Sequence, residues 1–161
     1  MSHLANWRAR RQHGQALVEF SLSIIIFLVL LMGIFDVGRA IFMYNGVAEA
    51  SREIARRTSI YPYGGLSSNP LGSSTQTAAT IDTQVKLVPG MTRPVPGAPS
   101  FECVDIEGNV ITAYACASDV TQDYVRVTVQ ATYQPITLLG FTGPITLRSS
   151  STVQIPTGQQ P

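Results

Sequence analysis

The feature that most constrains this chain is an apolar run close to its N terminus. Residues 20–35 read FSLSIIIFLVLLMGIF, sixteen residues without a charged side chain. Extended back to Ala16, the run has twenty residues and is interrupted only by Glu19. A helix rises about 1.5 Å per residue, so twenty residues cover the roughly 30 Å hydrocarbon core of a bilayer. Because the run is apolar on every face, it favours a membrane-spanning helix over the buried core helix of a soluble domain.

The charged residues that flank this run predict its orientation. Three arginines, Arg8, Arg10 and Arg11, precede the run, whereas Asp36 and Arg39 follow it and cancel each other. Segments rich in Lys and Arg stay on the cytoplasmic side of a membrane. We therefore expect a single-pass protein of the cytoplasmic (inner) membrane, with a cytoplasmic N terminus and an extracytoplasmic C-terminal part.

A conventional secretory signal peptide is the alternative interpretation of the same run. Such a peptide has an apolar region of roughly 7–15 residues, followed closely by a cleavage site of the A-x-A type. The candidate site, Ala48-Glu49-Ala50, begins twelve residues beyond Asp36 and falls inside a helical pattern. The long run and the distant site favour a retained span.

The junction between the basic leader and the apolar run carries a motif. The leader ends at Gly14, and the sequence continues as QALVEF, with a carboxylate at Glu19 and an aromatic ring at Phe20. This arrangement resembles a type IV prepilin processing site. The resemblance implies that a prepilin peptidase cuts after Gly14, that Gln15 becomes the new N terminus, and that Glu19 is the fifth residue of the mature chain.

The longer stretch from Gly14 into the 50s resembles, more narrowly, the TadE-like pseudopilins of tight-adherence (Flp-type) pili. The matching features are G-Q-A-L-V-E-F, the G-x-x-D-x-G-R-A exit (Gly33, Asp36, Gly38, Arg39 and Ala40) and A-x-R-x-x-A-R (Ala50, Arg52, Ala55 and Arg56). The resemblance implies a pilin-like layout. It also implies partners among other pilin or pseudopilin subunits and the pilus assembly machinery.

Glu19 has two interpretations. A carboxylate near the end of a membrane helix is unfavourable by a few kcal/mol unless it is paired or reaches the interface. Glu19 lies four residues from Gln15, so its side chain can extend into the cytoplasmic headgroups. The family resemblance implies instead that it accepts from the cationic α-amine of Gln15 that cleavage creates, in the same subunit or in a neighbouring one, and so aligns helices during assembly.

The helical pattern continues beyond the apolar run. Small and apolar residues recur at spacings of three and four, which predicts a stripe that packs on the chain's own globular domain: Ile34, Val37, Ile41, Tyr44, Ala48, Ser51 and Ala55. The opposite face is charged, and Glu53 is placed to pair with Arg57 at i+4. We therefore predict one helix over 15–59, membrane-spanning over about 16–38 and amphipathic beyond.

The remainder predicts a small α+β domain. After the leader 1–14 and the helix, a Pro/Gly/Ser linker occupies 60–73, and the extracytoplasmic domain occupies 74–161. The pattern predicts a short helix over 74–88 and a loop over 91–100. Alternating apolar and polar residues predict antiparallel strands over 101–106, 110–115, 123–133 and 145–155.

The two cysteines, Cys103 and Cys116, both fall in the segment expected outside the membrane. In an oxidising compartment they are expected to form a disulfide that closes a loop of about 12 residues. A metal site would need further ligands, and no histidine is near in the sequence. A reactive thiol is the remaining alternative.

Composition bears on the function class. Both histidines, His3 and His13, lie in the leader, and without it eight basic and ten acidic residues remain, a net charge of −2. The excess of acidic over basic residues argues against binding to nucleic acid, which is itself negatively charged. Without histidine, the remaining residues form no recognisable catalytic or metal-binding set. We expect no enzymatic activity, cofactor, metal or small-molecule substrate. We expect a minor pilin-like subunit that takes part in assembly, initiation or structure of the pilus; the alternative is a membrane-anchored binding or adhesion module outside a pilus.

Overall fold

The computed structural model describes residues 3–64, 70–111, 116, 124–136 and 143–156, with side chains from residue 14 onward. Two helices precede a sheet, and their bounds are α1 His3–Ile60 and α2 Thr75–Leu87. The strands are β1 Met91–Thr92, β2 Phe101–Val104, β3 Val110–Ile111, β4 Tyr124–Tyr133 and β5 Ile145–Gln154. This order confirms the α+β, pilin-like fold class that the sequence predicts.

The chain contacts define two compact units. One unit consists of Met1–Arg39 and Pro135–Gly143, and the other of Ala40–Gln134 and Pro144–Pro161. The first contains the apolar half of α1, which we define as residues 14–39, together with the connection between β4 and β5. The second contains α2, the sheet and the C-terminal half of α1, residues 40–60, which we call the buried half.

The sheet of the second unit is built around β4. One edge of β4 pairs along its whole length with β5, from Tyr124↔Gln154 to Tyr133↔Ile145. Its other edge pairs with β2 at one end and with β1 at the other, and every pairing is antiparallel. The strict alternation of the β4 sequence explains this central position, because its inward residues are all buried: Val125, Val127, Val129, Ala131 and Tyr133.

The C-terminal half of α1 forms the core of the second unit together with the sheet. Val47, Ala50, Ile54 and Ala55 are fully buried and belong to one apolar cluster with the inner face of β4 and with Phe101. Val47, Ala50 and Ile54 follow the spacing of three and four that places residues on one helix face.

The predicted stripe is correct only at its C-terminal end. Ser51 and Ala55 are buried, as predicted, but the four residues at its N-terminal end, Ile34, Val37, Ile41 and Tyr44, are exposed. The sequence pattern did not separate the two segments, because apolar residues recur at helical spacing both where a helix meets its own core and where it does not.

Short-range signals set the bounds of α2 and of the following turn. Ser74 caps α2, since its hydroxyl accepts a hydrogen bond from the Thr77 backbone N–H at 3.1 Å. Gly90 then adopts a positive φ of 72°, and its carbonyl accepts from the Thr132 N–H. A Cβ at Gly90 would lie 2.5 Å from the Thr132 carbonyl oxygen, so only glycine fits. The two residues after Gly90, Met91 and Thr92, pair with β4 as strand β1. The prediction of a loop over 91–100 is wrong at these two residues.

The β2–β3 hairpin is tighter than the sequence predicts. Strand β2 ends at Val104 rather than at residue 106, because the Asp105 carboxylate accepts from the backbone N–H groups of Glu107 and Asn109 and begins a turn. These bonds, with the Asn109 side-chain amide foremost, lower the pKa of Asp105 below its ordinary value. The second predicted strand, 110–115, extends beyond the described residues after Ile111. The strand predicted over 123–133 is confirmed within the described residues, and the one predicted over 145–155 is confirmed except at residue 155, since β5 ends at Gln154.

Candidate functional site

From Gly14 onward, α1 begins with an apolar segment that is not buried among the residues that the structure describes. The helix over Gly14–Ile60 contains an apolar stretch of 18 residues, of which none is buried, and it is long and apolar enough to cross a membrane. A core helix of a soluble domain would be enclosed by its own chain. Exposed leucine, isoleucine and phenylalanine side chains in such a continuous set mark a surface that contacts lipid or protein.

The predicted processing residues lie at the beginning of this apolar segment. Gly14 and Gln15 are part of α1, and no atom outside the local helix lies within 4 Å of the position that a Cβ at Gly14 would occupy. Both residues are exposed, as are Glu19 and Phe20. Cleavage after Gly14 stays a prediction.

Glu19 has a partner within its own chain. The Gln15 side-chain amide donates to Glu19 Oε1 at 3.1 Å, one turn away on the exposed face of α1. This contact satisfies one acceptor of a carboxylate that has capacity for several hydrogen bonds. It keeps Glu19 close to residue 15, which is where the resemblance locates the new α-amine.

The alternative signal-peptidase site lies in the part of α1 that packs in the core of the second unit, and not in the exposed apolar segment. Ala48, Glu49 and Ala50 lie inside α1, and Ala50 is fully buried in the core of the second unit. A cut after Ala50 would divide the helix that supplies Val47 and Ile54 to that core. The structure therefore disfavours processing at this position.

Asp36 is a residue whose role the sequence reasoning did not identify. It is only 2% exposed, its Oδ1 accepts from the Ile136 backbone N–H at 3.3 Å, and Arg39 lies 3.8 Å away. All three residues belong to the first unit. The sequence marks Asp36 as the first charged residue after the charge-free run, but no local pattern links it to Ile136, a hundred residues later.

The cysteine pair lies in the core of the second unit. Cys103 and Cys116 are joined by a disulfide, their Cα atoms are 5.6 Å apart, and both residues are buried. The bond connects β2 to the segment after β3. Because both sulfurs are occupied and enclosed, neither residue is available as a reactive thiol in this state.

The charged face of α1 carries ion pairs. Glu53 accepts from Arg56 at 2.9 Å and from Arg57 at 3.3 Å, which confirms the predicted i+4 pair and adds a second partner. The hydrogen bond from Arg56, followed by the one from Arg57, lowers the pKa of Glu53 below its ordinary value. These pairs lie at the surface, where each stabilises by a few tenths of a kcal/mol.

The outer face of the sheet holds an open polar groove. Its lining residues are Glu102, Arg126, Thr128, Arg148, Ser149, Ser150 and Thr152. Arg126 is occupied within the chain, since it donates to the Gly108 carbonyl and pairs with Glu102 at 3.6 Å. Among the residues that the structure describes, no three His, Cys, Asp or Glu side chains are grouped to hold a metal ion.

Comparison with known proteins identifies the N-terminal segment. Residues 14–56 match the model of the family described as TadE-like protein. The match covers about a quarter of the chain and confirms, over that segment, the resemblance to TadE-like proteins that the sequence motifs carry. It begins at Gly14 and ends at Arg56, so it includes Glu19, Asp36 and Glu53 but not Arg57. Neither a curated protein nor a solved structure matches the chain.

Proposed function

We propose that this chain, whose α1 is TadE-like, is a minor pilin-like (pseudopilin) subunit that takes part in assembly, initiation or structure of a tight-adherence pilus. The observation that carries the proposal is the uncovered apolar helix that begins at Gly14 and holds an exposed carboxylate at Glu19. A helix of this kind needs an external apolar environment, and a pilus subunit has two: the bilayer before assembly and neighbouring helices after it.

The proposed topology follows from the charge distribution. The leader with its three arginines stays in the cytoplasm, α1 crosses the inner membrane once, and the second unit folds on the extracytoplasmic side. The disulfide between Cys103 and Cys116 is consistent with an oxidising compartment. The proposed role is structural and not catalytic.

Maturation is proposed to require a prepilin peptidase. The enzyme cuts the Gly14–Gln15 bond and leaves a cationic α-amine on Gln15 at the membrane edge. Glu19, already held near residue 15 by the Gln15 side chain, then accepts from this amine or from that of an adjacent subunit. Such a charged pair offsets the desolvation of both groups and sets the axial register between helices.

Substitution of Glu19 tests this role. Glu19→Ala removes the acceptor, and Glu19→Gln keeps the shape but removes the charge. Neither change hinders membrane insertion, because both make the helix more apolar. We expect wild-type amounts of membrane-bound protein with wild-type topology, together with a clear loss of subunit or of pili from the sheared surface fraction.

Glu49→Ala is the matched control, since it removes another exposed carboxylate of α1 that pairs only at 3.7 Å with Arg52. This variant should leave piliation unchanged. Wild-type piliation in both Glu19 variants, at normal protein abundance, would refute the proposed role of the carboxylate.

A membrane-anchored binding or adhesion module is the second candidate function. The observation in its favour is the open groove on the outer face of the sheet, where hydroxyl groups and Arg148 face solvent. A simple anchor requires neither cleavage at Gly14 nor a charge at Glu19. Substitution of Arg148 by Ala would then abolish surface adhesion, whereas the Glu19 variants would behave like the wild type.

A further inference from the structure

The C-terminal end of the apolar run makes a contact for which the proposed function gives no role. Asp36 is the first charged residue after sixteen charge-free positions, and its carboxylate accepts from the Ile136 backbone N–H. Ile136 lies just after β4, far along the chain, yet it belongs to the same unit as the apolar half of α1. The hydrogen bond therefore holds the start of the β4–β5 connection at the turn of α1 where the proposed span ends.

The environment of Asp36 indicates that this contact is built rather than incidental. A carboxylate that is 98% removed from solvent is unfavourable unless hydrogen-bond donors or a cation compensate it. The Ile136 N–H and the guanidinium of Arg39 supply that compensation. Pro135, the residue before Ile136, is buried as well. Asp36 thus acts as a positioning residue for the backbone at 135 and 136.

The side chain of Ile136 is exposed although its backbone is anchored. It is 76% exposed, and the flanking sequence from residue 134 to 144, QPITLLGFTGP, contains no charged residue. An exposed isoleucine in water forgoes the burial of its apolar surface, roughly 25 cal/mol per Å². Beside the end of a membrane span the same side chain meets the boundary between headgroups and acyl chains, where apolar groups are favoured.

We propose that Ile136 is a second membrane contact of this protein, inserted into the extracytoplasmic lipid interface and held there by the Asp36 carboxylate. The inference rests on the proposed membrane span and extends it. Lipid is the occupant that fits, because the contact continues the apolar surface of α1 at the level where the charge-free run stops. A second protein copy is the competing occupant, and the test separates the two.

The experiment uses tryptophan fluorescence of the full chain in phospholipid vesicles, with and without brominated acyl chains. Trp7, the single native tryptophan, is replaced by Phe, and one reporter is introduced per variant. Ile136→Trp reports on the proposed contact, and Phe27→Trp reports on the apolar run. Val95→Trp is the matched control, because Val95 is similarly exposed, at 68%, but lies in the second unit.

We expect brominated lipid to quench the Ile136→Trp and Phe27→Trp reporters several-fold more strongly than the Val95→Trp reporter. Bromine placed near the headgroups should quench the residue 136 reporter best, and bromine placed deep in the chains should quench the residue 27 reporter best. The result should persist at high lipid-to-protein ratios. Quenching at residue 27 without quenching at residue 136 would overturn the inference and leave the span intact.

Two further outcomes are informative. Blue-shifted emission at residue 136 without lipid quenching would overturn the proposal in favour of a protein neighbour. Absence of quenching at residue 27 would overturn the proposed span and the inference together.

In the Asp36→Ala background the lipid quenching at residue 136 should fall, whereas Asp36→Asn, which keeps an acceptor oxygen, should retain most of it. If quenching at residue 136 were as strong with Asp36→Ala as with the native Asp36, the positioning role of Asp36 would be contradicted.

Discussion

The two halves of α1 are continuous in sequence and helix type, but their environments are opposite. The apolar half, residues 14–39, presents leucine, isoleucine and phenylalanine side chains that are exposed in the part of the chain that the structure describes. The buried half, residues 40–60, places smaller residues such as Ala50 and Ala55 in the core of the second unit. The difference shows that the buried half of the helix stabilises a domain, whereas the apolar half contributes little to any core that the structure describes.

Residue size explains why the buried half packs closely. Alanine and serine side chains at positions 50, 51 and 55 allow the helix backbone to approach the sheet, and Ser51 Oγ lies 3.4 Å from Ser149 Oγ on β5. Large side chains in the apolar half, in contrast, increase the area that lipid or neighbouring helices cover. Helix propensity does not produce this distinction, because both halves contain β-branched residues and glycines of low propensity and both are nevertheless helical.

The largest expected effect is a difference in stability between two variants, in which an isoleucine is truncated either in the buried half or in the apolar half of α1. Ile54 is 0% exposed and Ile25 is 58% exposed. We expect Ile54→Ala to lower the free energy of unfolding by about 2–5 kcal/mol, because it leaves a cavity in the core. Ile25→Ala should change it by less than about 0.5 kcal/mol. Denaturant unfolding of both variants in the same detergent measures the difference, and equal losses would break the comparison.

Removal of the disulfide should give the next largest effect, confined to the second unit. We expect the double substitution Cys103→Ser and Cys116→Ser to lower the free energy of unfolding by about 2–3 kcal/mol, because the unfolded chain gains loop entropy. Membrane association of the apolar half should not change. Mass spectrometry of unreduced native protein should show the linked peptide pair, and two freely alkylated thiols would contradict the pairing.

The smallest expected effect concerns the charged face of the buried half. Arg56 and Arg57 lower the pKa of Glu53 in the folded protein, so the ionised carboxylate contributes stability above its ordinary pKa. That contribution is lost as the pH falls through the lowered folded pKa. Glu53→Gln should therefore cost at most about 0.5 kcal/mol at neutral pH, and the difference from the wild type should vanish in acid. Glu49→Gln, whose partner is 3.7 Å away, is the control and should cost less.

Features governed by local pattern were predictable from the sequence. The charge-free run gave the long helix, Ser74 and the following periodicity gave α2, and the alternation of β4 and β5 gave their strands. Features that depend on pairing between distant segments were not predictable. The two-residue strand β1 exists because Met91 meets Ala131 across the sheet, and the Asp36–Ile136 bond joins residues a hundred positions apart.

The candidate site was predictable only in part, for the same reason. The motif around Gly14 and Glu19 is contiguous, so the sequence showed it and the family match includes it. The stripe from Ile34 to Tyr44 was assigned to the domain although those side chains are exposed. Periodicity identifies a helix face, but it does not identify what covers that face.

The N terminus of the membrane-extracted protein tests the central proposal most directly. Intact-mass measurement should give a chain that begins at Gln15, with allowance for cyclisation of an N-terminal glutamine, in cells that contain the prepilin peptidase. The full-length chain should appear in cells that lack the peptidase. Protein that still begins at Met1 or Ser2 in piliated cells would contradict the proposal, and a chain that begins at Ser51 would show signal-peptidase cleavage instead.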